Sequence, residues 1–218
     1  MALGFYVQNR LKSRFKKYSK ELLHNGMSGA QVAEAMLDHY GISSVNVVSV
    51  PGKLTDHYNP ANRTVNLSPE VYEGRNVASA AIAAHECGHA VQHSTAYFWL
   101  GMRTKMVPMV NASSQIMRMV FFASILGMGL LGLGYSNILI LLIAAQAVIA
   151  SFAVVTLPVE YDASRRALVW LKGAGITNPH NHSMAEDALK WAARTYLVAA
   201  IAAATQLLYY VMLYMRRN

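Results

Sequence analysis

From Ser28 to His39 the apolar positions Val32, Ala33, Met36 and Leu37 recur at three- and four-residue intervals, the spacing of one helix face. Ser28 is placed to cap that helix and Gly41 to stop it. Val45 to Val50 alternates and is β-branched, which predicts a strand, and Pro51-Gly52 predicts a turn. Leu54–Tyr58 and Arg63–Leu67 flank Asn59-Pro60-Ala61-Asn62, the pattern of a β-hairpin. Ser68-Pro69-Glu70 opens a helical turn, and an alanine-rich helix is expected from about Asn76 to about Thr95. A strand arriving just before that helix can offer a free edge to an extended peptide, and Arg63–Leu67 is the segment nominated for it; the alternative is an ordinary interior strand.

The rhythm then changes. Met119 to Val159 contains no Asp, Glu, Lys or Arg. As a helix it is about 62 Å long, twice the ~30 Å hydrocarbon core of a bilayer, so two spans are predicted. Gly134-Tyr135-Ser136-Asn137 is the expected turn between them. Gly127, Gly129 and Gly132 thin the first span, which can begin before Arg118 if that side chain snorkels. Ala163 to Arg194 is amphipathic, broken at Gly173-Ala174-Gly175 and Asn178-Pro179, with Ser183 and Glu186 reading as a capping box. A last charge-free run, Thr195 to Met215, predicts a third span ending in Arg216-Arg217. The chain thus divides into a mixed half (1–116), a transmembrane hairpin (117–158), an amphipathic segment (159–194) and a C-terminal span (195–218).

Composition agrees with a membrane protein: 218 residues, 54% apolar, 14% charged, net charge +8. A single cysteine, Cys87, rules out an internal disulfide framework and reads as a small packing residue. Arg10, Lys12, Arg14, Lys16, Lys17 and Lys20 form a basic segment suited to anionic headgroups. No nucleic-acid motif accompanies them, and no cleavable signal peptide is read at the N-terminus. Tyr97, Phe98 and Trp99 suit a membrane interface.

The candidate chemistry lies in the alanine-rich helix, at His85-Glu86-Cys87-Gly88-His89. Two histidines four apart share a helix face and can reach one Zn²⁺, while Glu86 is the candidate general base. Gly88, just before the second histidine, indicates that space is tight there. Two histidines leave a catalytic zinc one protein ligand short. The acids beyond His89 are Glu160, Asp162, Glu186 and Asp187. Glu160 is favoured, because a two-span hairpin returns it to the side of the bilayer that His85 and His89 occupy. His93 competes, but lies about 12 Å beyond His85 along the same helix. His180 and His182 read as loop and helix cap.

These residues resemble the YugP-like family of putative neutral zinc metallopeptidases. The resemblance rests on Gly52-Lys53-Leu54-Thr55-Asp56-His57-Tyr58, Ala84-His85-Glu86-Cys87-Gly88-His89-Ala90 and Thr156-Leu157-Pro158-Val159-Glu160-Tyr161-Asp162-Ala163-Ser164. The site is also similar to that of gluzincins, including HtpX-type and CAAX-prenyl membrane proteases. The resemblance implies a zincin-like helix and a Glu on a later helix completing the zinc site. Two departures stand out. Of the family's hydrophobic N-terminal span only Met1 to Val7 is recognised. Where HtpX-type enzymes place an Asp four residues after the ligand Glu, this chain has Ser164, which leaves the partners of His85 and His89 open. Asp162 faces the wrong way to substitute simply, and Asp56 is the candidate replacement.

The expectation is therefore a mainly α membrane protein with a small β-hairpin or sheet, a zincin-like helix and about three transmembrane helices. One Zn²⁺ per chain would be held by His85, His89 and Glu160, with Glu86 catalytic, in an endopeptidase acting on a peptide or membrane-protein substrate. Tyr97, His93, Tyr161 and Arg165 are unranked oxyanion donors. The alternatives are a zinc-binding, non-proteolytic membrane adaptor or assembly factor, and a zinc amidase acting on a non-peptide. The distribution of Lys and Arg places the catalytic side of this multi-pass protein in the cytoplasm.

Overall fold

A computed structural model describes residues 2–125 and 134–216. The described chain is mainly helical, with a three-stranded sheet. It comprises α1 (Ala2–Tyr18), α2 (Gly29–His39), β1 (Asn46–Ser49), β2 (His57–Asn59), β3 (Thr64–Leu67), α3 (Pro69–Tyr72), α4 (Val77–Ser94), α5 (Phe98–Ile125), α6 (Tyr135–Gly173) and α7 (His182–Met215). Two compact units divide it, residues 1–100 with 158–195, and residues 101–157 with 196–218.

In the first unit, α4 is the element around which the others pack. Asn76 caps it, its side chain accepting from the Ser79 N–H at 3.0 Å. Nearly every residue from Val77 to Gln92 is buried, as expected of a helix that is apolar on all sides. One side meets α2, whose buried stripe is Val32, Ala33, Met36 and Leu37. The Ser28 capping box fixes where α2 starts: the Ser28 hydroxyl accepts from the Gln31 N–H while the Gln31 side chain accepts from the Ser28 N–H. A second side meets the C-terminal part of α6 without a side-chain layer between them at Gly88. A Cβ added at Gly88 would lie 2.6 Å from the Ala163 carbonyl oxygen. The expected tightness at Gly88 is therefore backbone against backbone.

The hairpin forms, but its first strand is shorter and later than Leu54–Tyr58: β2 pairs antiparallel with β3 in the register His57↔Asn66, Tyr58↔Val65, Asn59↔Thr64, so Asn59 belongs to the strand. The nomination of Arg63–Leu67 as a free edge is overturned. β1 pairs parallel with β3, so β3 is the central strand and both its edges are filled. The outer strands are β1 and β2. Another expectation fails at α7, which begins at His182, so Ser183 lies in its first turn and caps nothing. A closed asparagine turn wins there. The Asn178 side chain accepts from the His180 and Asn181 N–H groups, and the Asn181 side chain accepts from the Asn178 N–H. Glu186 pairs with Lys190 instead, at 2.7 Å.

The basic segment is α1. Its Val7 and Tyr18 are buried, the Arg14 guanidinium pairs with Asp187 at 3.2 Å, and the Tyr18 hydroxyl donates to the same carboxylate. Arg10, Lys12, Lys16 and Lys17 stay exposed.

In the second unit, α6 and α7 are long and apolar enough to cross a membrane. Only 28% and 6% of their most apolar windows are buried, which argues against core helices of a soluble domain. Of the expected turn Gly134–Asn137, residues 135–137 already belong to α6. Gly127, Gly129 and Gly132 of the expected first span lie outside the described residues. α5 runs unbroken through Arg118.

Gly88→Ala is expected to destabilise. The methyl would gain about 1 kcal/mol of helix propensity. Against this, backbone cannot rotate away from a clash as a side chain can, and overpacking costs about 1–3 kcal/mol. A lowered thermal midpoint together with weakened zinc retention is the expected result; an unchanged midpoint would mean the two helices can part freely.

Candidate metal centre

His85 and His89 stand one turn apart on α4, with ring centroids 4.8 Å apart. Glu160 reaches them from α6, directly after the charge-free run that ends at Val159. Its Oε2 lies 3.3 Å from His85 Nε2 and 3.6 Å from His89 Nε2. All three residues are buried, and their ligand atoms lie within 4.8 Å of one another. Donors about 2.1 Å from one tetrahedral ion stand about 3.4 Å apart. Two nitrogens and one carboxylate oxygen at these separations fit Zn²⁺.

Each imidazole is held by its other nitrogen. His85 Nδ1 is 3.1 Å from Ser164 Oγ, and His89 Nδ1 is 3.1 Å from Gln92 Oε1. The amide orientation of Gln92 is fixed independently, because its Nε2 donates to the Val159 carbonyl at 2.7 Å and to Asp162 at 3.0 Å. Gln92 Oε1 is then an acceptor, which puts the proton of His89 on Nδ1 and leaves the Nε2 lone pair facing Glu160. Asp162 in turn binds Arg165 and Arg166, both at 2.5 Å. The question left by Ser164 is thus answered in two parts. Ser164 itself holds His85. Asp162 does face away from the histidines, yet it acts on His89 through Gln92. Asp56 does not take part: it accepts from the Ser68 N–H and hydroxyl and fixes the loop before α3.

The electrostatics favour a cation. Burial pushes the His89 imidazolium towards losing its proton, but Glu160 and Glu86 outweigh it and hold its pKa above the ordinary value. Burial likewise pushes Glu160 up, yet its hydrogen bonds with His85 and His89 hold the carboxyl well below the usual range. Cys87 is fully buried, its thiol raised by that burial, and it donates weakly to the Ala33 carbonyl, as befits a packing residue.

Glu86 is buried beside the pair and accepts the Tyr58 N–H at 3.1 Å, so β2 aims its carboxylate. The Tyr58 hydroxyl lies 2.7 Å from His93 Nδ1. His93 is thereby engaged one turn beyond His89 and is not among the clustered residues. Of the other oxyanion candidates, Arg165 is spent on Asp162, Tyr97 lies under the Arg166 guanidinium, and Tyr161 is exposed. The roles of Gln92 and Tyr58 escaped the sequence reading. Gln92 did carry a signal, as a polar residue three positions after His89 on an otherwise apolar helix.

A family model described as putative neutral zinc metallopeptidase matches residues 1–215. The chain is 38% identical over 217 residues to the protein named "Putative membrane protease YugP" of Bacillus subtilis (strain 168), covering 99% of this chain and 93% of that one. No solved structure matches.

Gln92→Ala should lower zinc affinity about 10–100-fold while leaving Glu86 in place, measured by competition with a chelator. In the wild type the same measurement should show affinity rising with pH as His89 loses its proton. The raised pKa places that rise above the 6.5 of an ordinary imidazole.

Proposed function

The chain belongs to the putative neutral zinc metallopeptidase family, and from that premise we propose that it is a membrane-embedded, zinc-dependent endopeptidase. The observation that carries this reading is the buried convergence of His85 Nε2, His89 Nε2 and Glu160 Oε2 in the first unit, with Glu86 alongside. In this reading the three residues hold one Zn²⁺ per chain. Bound zinc would supply Lewis acidity and lower the pKa of water towards about 7.

The chain's own residues divide the remaining work. Glu86 moves the proton. Its Oε2 receives the Tyr58 N–H, so Oε1 is free to take a proton from the attacking water and deliver it to the leaving amine nitrogen. Gln92 keeps the His89 imidazole in the tautomer that offers Nε2, and Ser164 orients the His85 ring so that its Nε2 faces Glu160. The substrate class is a peptide or a membrane-protein segment.

The protein is proposed to be multi-pass in the cell membrane, with its first unit in the cytoplasm. Lys and Arg are dense in residues 10–20 and at Arg165, Arg166 and Lys172, against Arg118, Arg216 and Arg217 towards the opposite side.

Glu86→Gln separates this reading from a zinc-binding adaptor. The amide oxygen can still accept the Tyr58 N–H, so the fold and the zinc should be retained. Cleavage of a denatured membrane protein should fall by about 10²-fold or more, because the amide is no base. Unchanged cleavage would remove Glu86 from the mechanism. Glu160→Ala should instead lose the metal, read as zinc content of the purified protein; full zinc retention would overturn the ligand assignment.

A further inference from the structure

The second unit has an uneven charge balance. Residues 101–157 and 196–218 contain Arg103, Lys105, Arg118, Arg216 and Arg217, and no Asp or Glu at all. Arg118 is set within α5 and precedes the long charge-free run. It lines a cavity of about 430 Å³ between α5, α6 and α7. Met117, Val120, Phe121 and Leu142 give that cavity an apolar wall, and Tyr210 completes its lining. Ser124, the remaining hydroxyl, is spent on the Val120 carbonyl at 2.7 Å. Among the described residues Arg118 has no acid to pair with in its own unit, so its counter-ion must come from elsewhere.

The position of the cavity says where from. At about 1.5 Å per residue, Arg118, Leu142 and Tyr210 lie roughly 20–26 Å along their helices from the ends at which α5, α6 and α7 leave the unit. In a membrane with a ~30 Å hydrocarbon core, that is close to the headgroup level of one leaflet. A guanidinium binds a phosphate through paired N–H donors, a tyrosine hydroxyl can add one more, and Met117 and Leu142, both nearer the bilayer centre than Arg118, suit an acyl chain. A cavity of this volume is large enough for a drug-sized portion of a ligand.

We infer that the cavity between α5, α6 and α7 is a binding site for one anionic phospholipid, its phosphate on Arg118 and Tyr210 and an acyl chain leading inward past Met117 and Leu142. The site rests on the membrane reading and is independent of the zinc chemistry.

The test uses the detergent-purified full chain, loaded with phosphatidylglycerol, phosphatidylcholine or inorganic phosphate and examined by native mass spectrometry. The wild type should retain one phosphatidylglycerol at least ten-fold better than phosphatidylcholine, and excess inorganic phosphate should not displace it. Arg118→Gln should lose that preference and Arg118→Lys should keep most of it. Leu142→Trp, which fills the cavity and leaves the charge, should evict the lipid, so a folding failure of Arg118→Gln does not end the test. A wild type with no preference, an Arg118→Gln or Leu142→Trp protein that keeps it, or displacement by inorganic phosphate would each overturn the site. None of these outcomes depends on catalysis, so failure here leaves the metallopeptidase reading standing, and failure of that reading leaves this site standing.

Discussion

The site exists because two backbones touch. α4 and α6 meet at Gly88 and Ala163 with no side chain between them, a contact that any Cβ at position 88 would break. Gly88 lies between the two histidines in sequence, and Ala163 lies between Glu160 and Ser164. At that separation, Glu160 and Ser164 reach both nitrogens of His85 from one helix, at 3.3 and 3.1 Å. An ordinary interhelical distance of 8–10 Å would put a short serine out of reach. The helix-weakening glycine is therefore retained where it costs about 1 kcal/mol of propensity, because the geometry around it needs the space.

Around this contact the polar groups are arranged in layers that each fix the next. Arg165 and Arg166 hold Asp162; Asp162 and the Val159 carbonyl hold the amide of Gln92; Gln92 holds His89. Every link is a hydrogen bond with donor and acceptor assigned by its neighbours, so the chain of bonds has one consistent proton arrangement. From the sheet, β2 supplies a backbone donor to Glu86. The two carboxylates are thus treated differently. Glu160 faces two ring nitrogens, whereas Glu86 has a peptide N–H on one oxygen and keeps the other available.

How much of this the sequence disclosed follows from the range of the forces concerned. Features set within one turn were legible: the Ser28 cap, the hairpin around Asn59-Pro60, the boundaries of α4 and the shared face of His85 and His89. Glu160 could be selected at a distance of 75 positions because few acids exist beyond His89 and the expected two-span hairpin limits where the chain can return. The central place of β3 was not legible. The parallel pairing with β1 depends on a long connection that periodicity does not encode. Gln92 was missed for a similar reason, since its meaning comes from Val159 and Asp162 on a helix that approaches only after folding. At Ser183 a good local capping pattern lost to a closed turn made by Asn178 and Asn181, after which the helix has already begun at His182.

The burial of the site links metal binding to folding. Two carboxylates and two imidazoles are less than a tenth exposed, and the effective penalty for an uncompensated buried ion is several kcal/mol. The imidazoles must be neutral to present Nε2, so they cannot neutralise Glu86 and Glu160 while serving as ligands. Protonating His89 relieves the field, which is the direction its pKa takes, but it uses the nitrogen a metal needs. A divalent cation resolves both demands at once, matching two negative charges and occupying both lone pairs. Proton and metal therefore compete for the same stabilisation. The packed contact at Gly88 is what makes that stabilisation available to either, because only the folded chain brings the carboxylate of α6 to the imidazoles of α4.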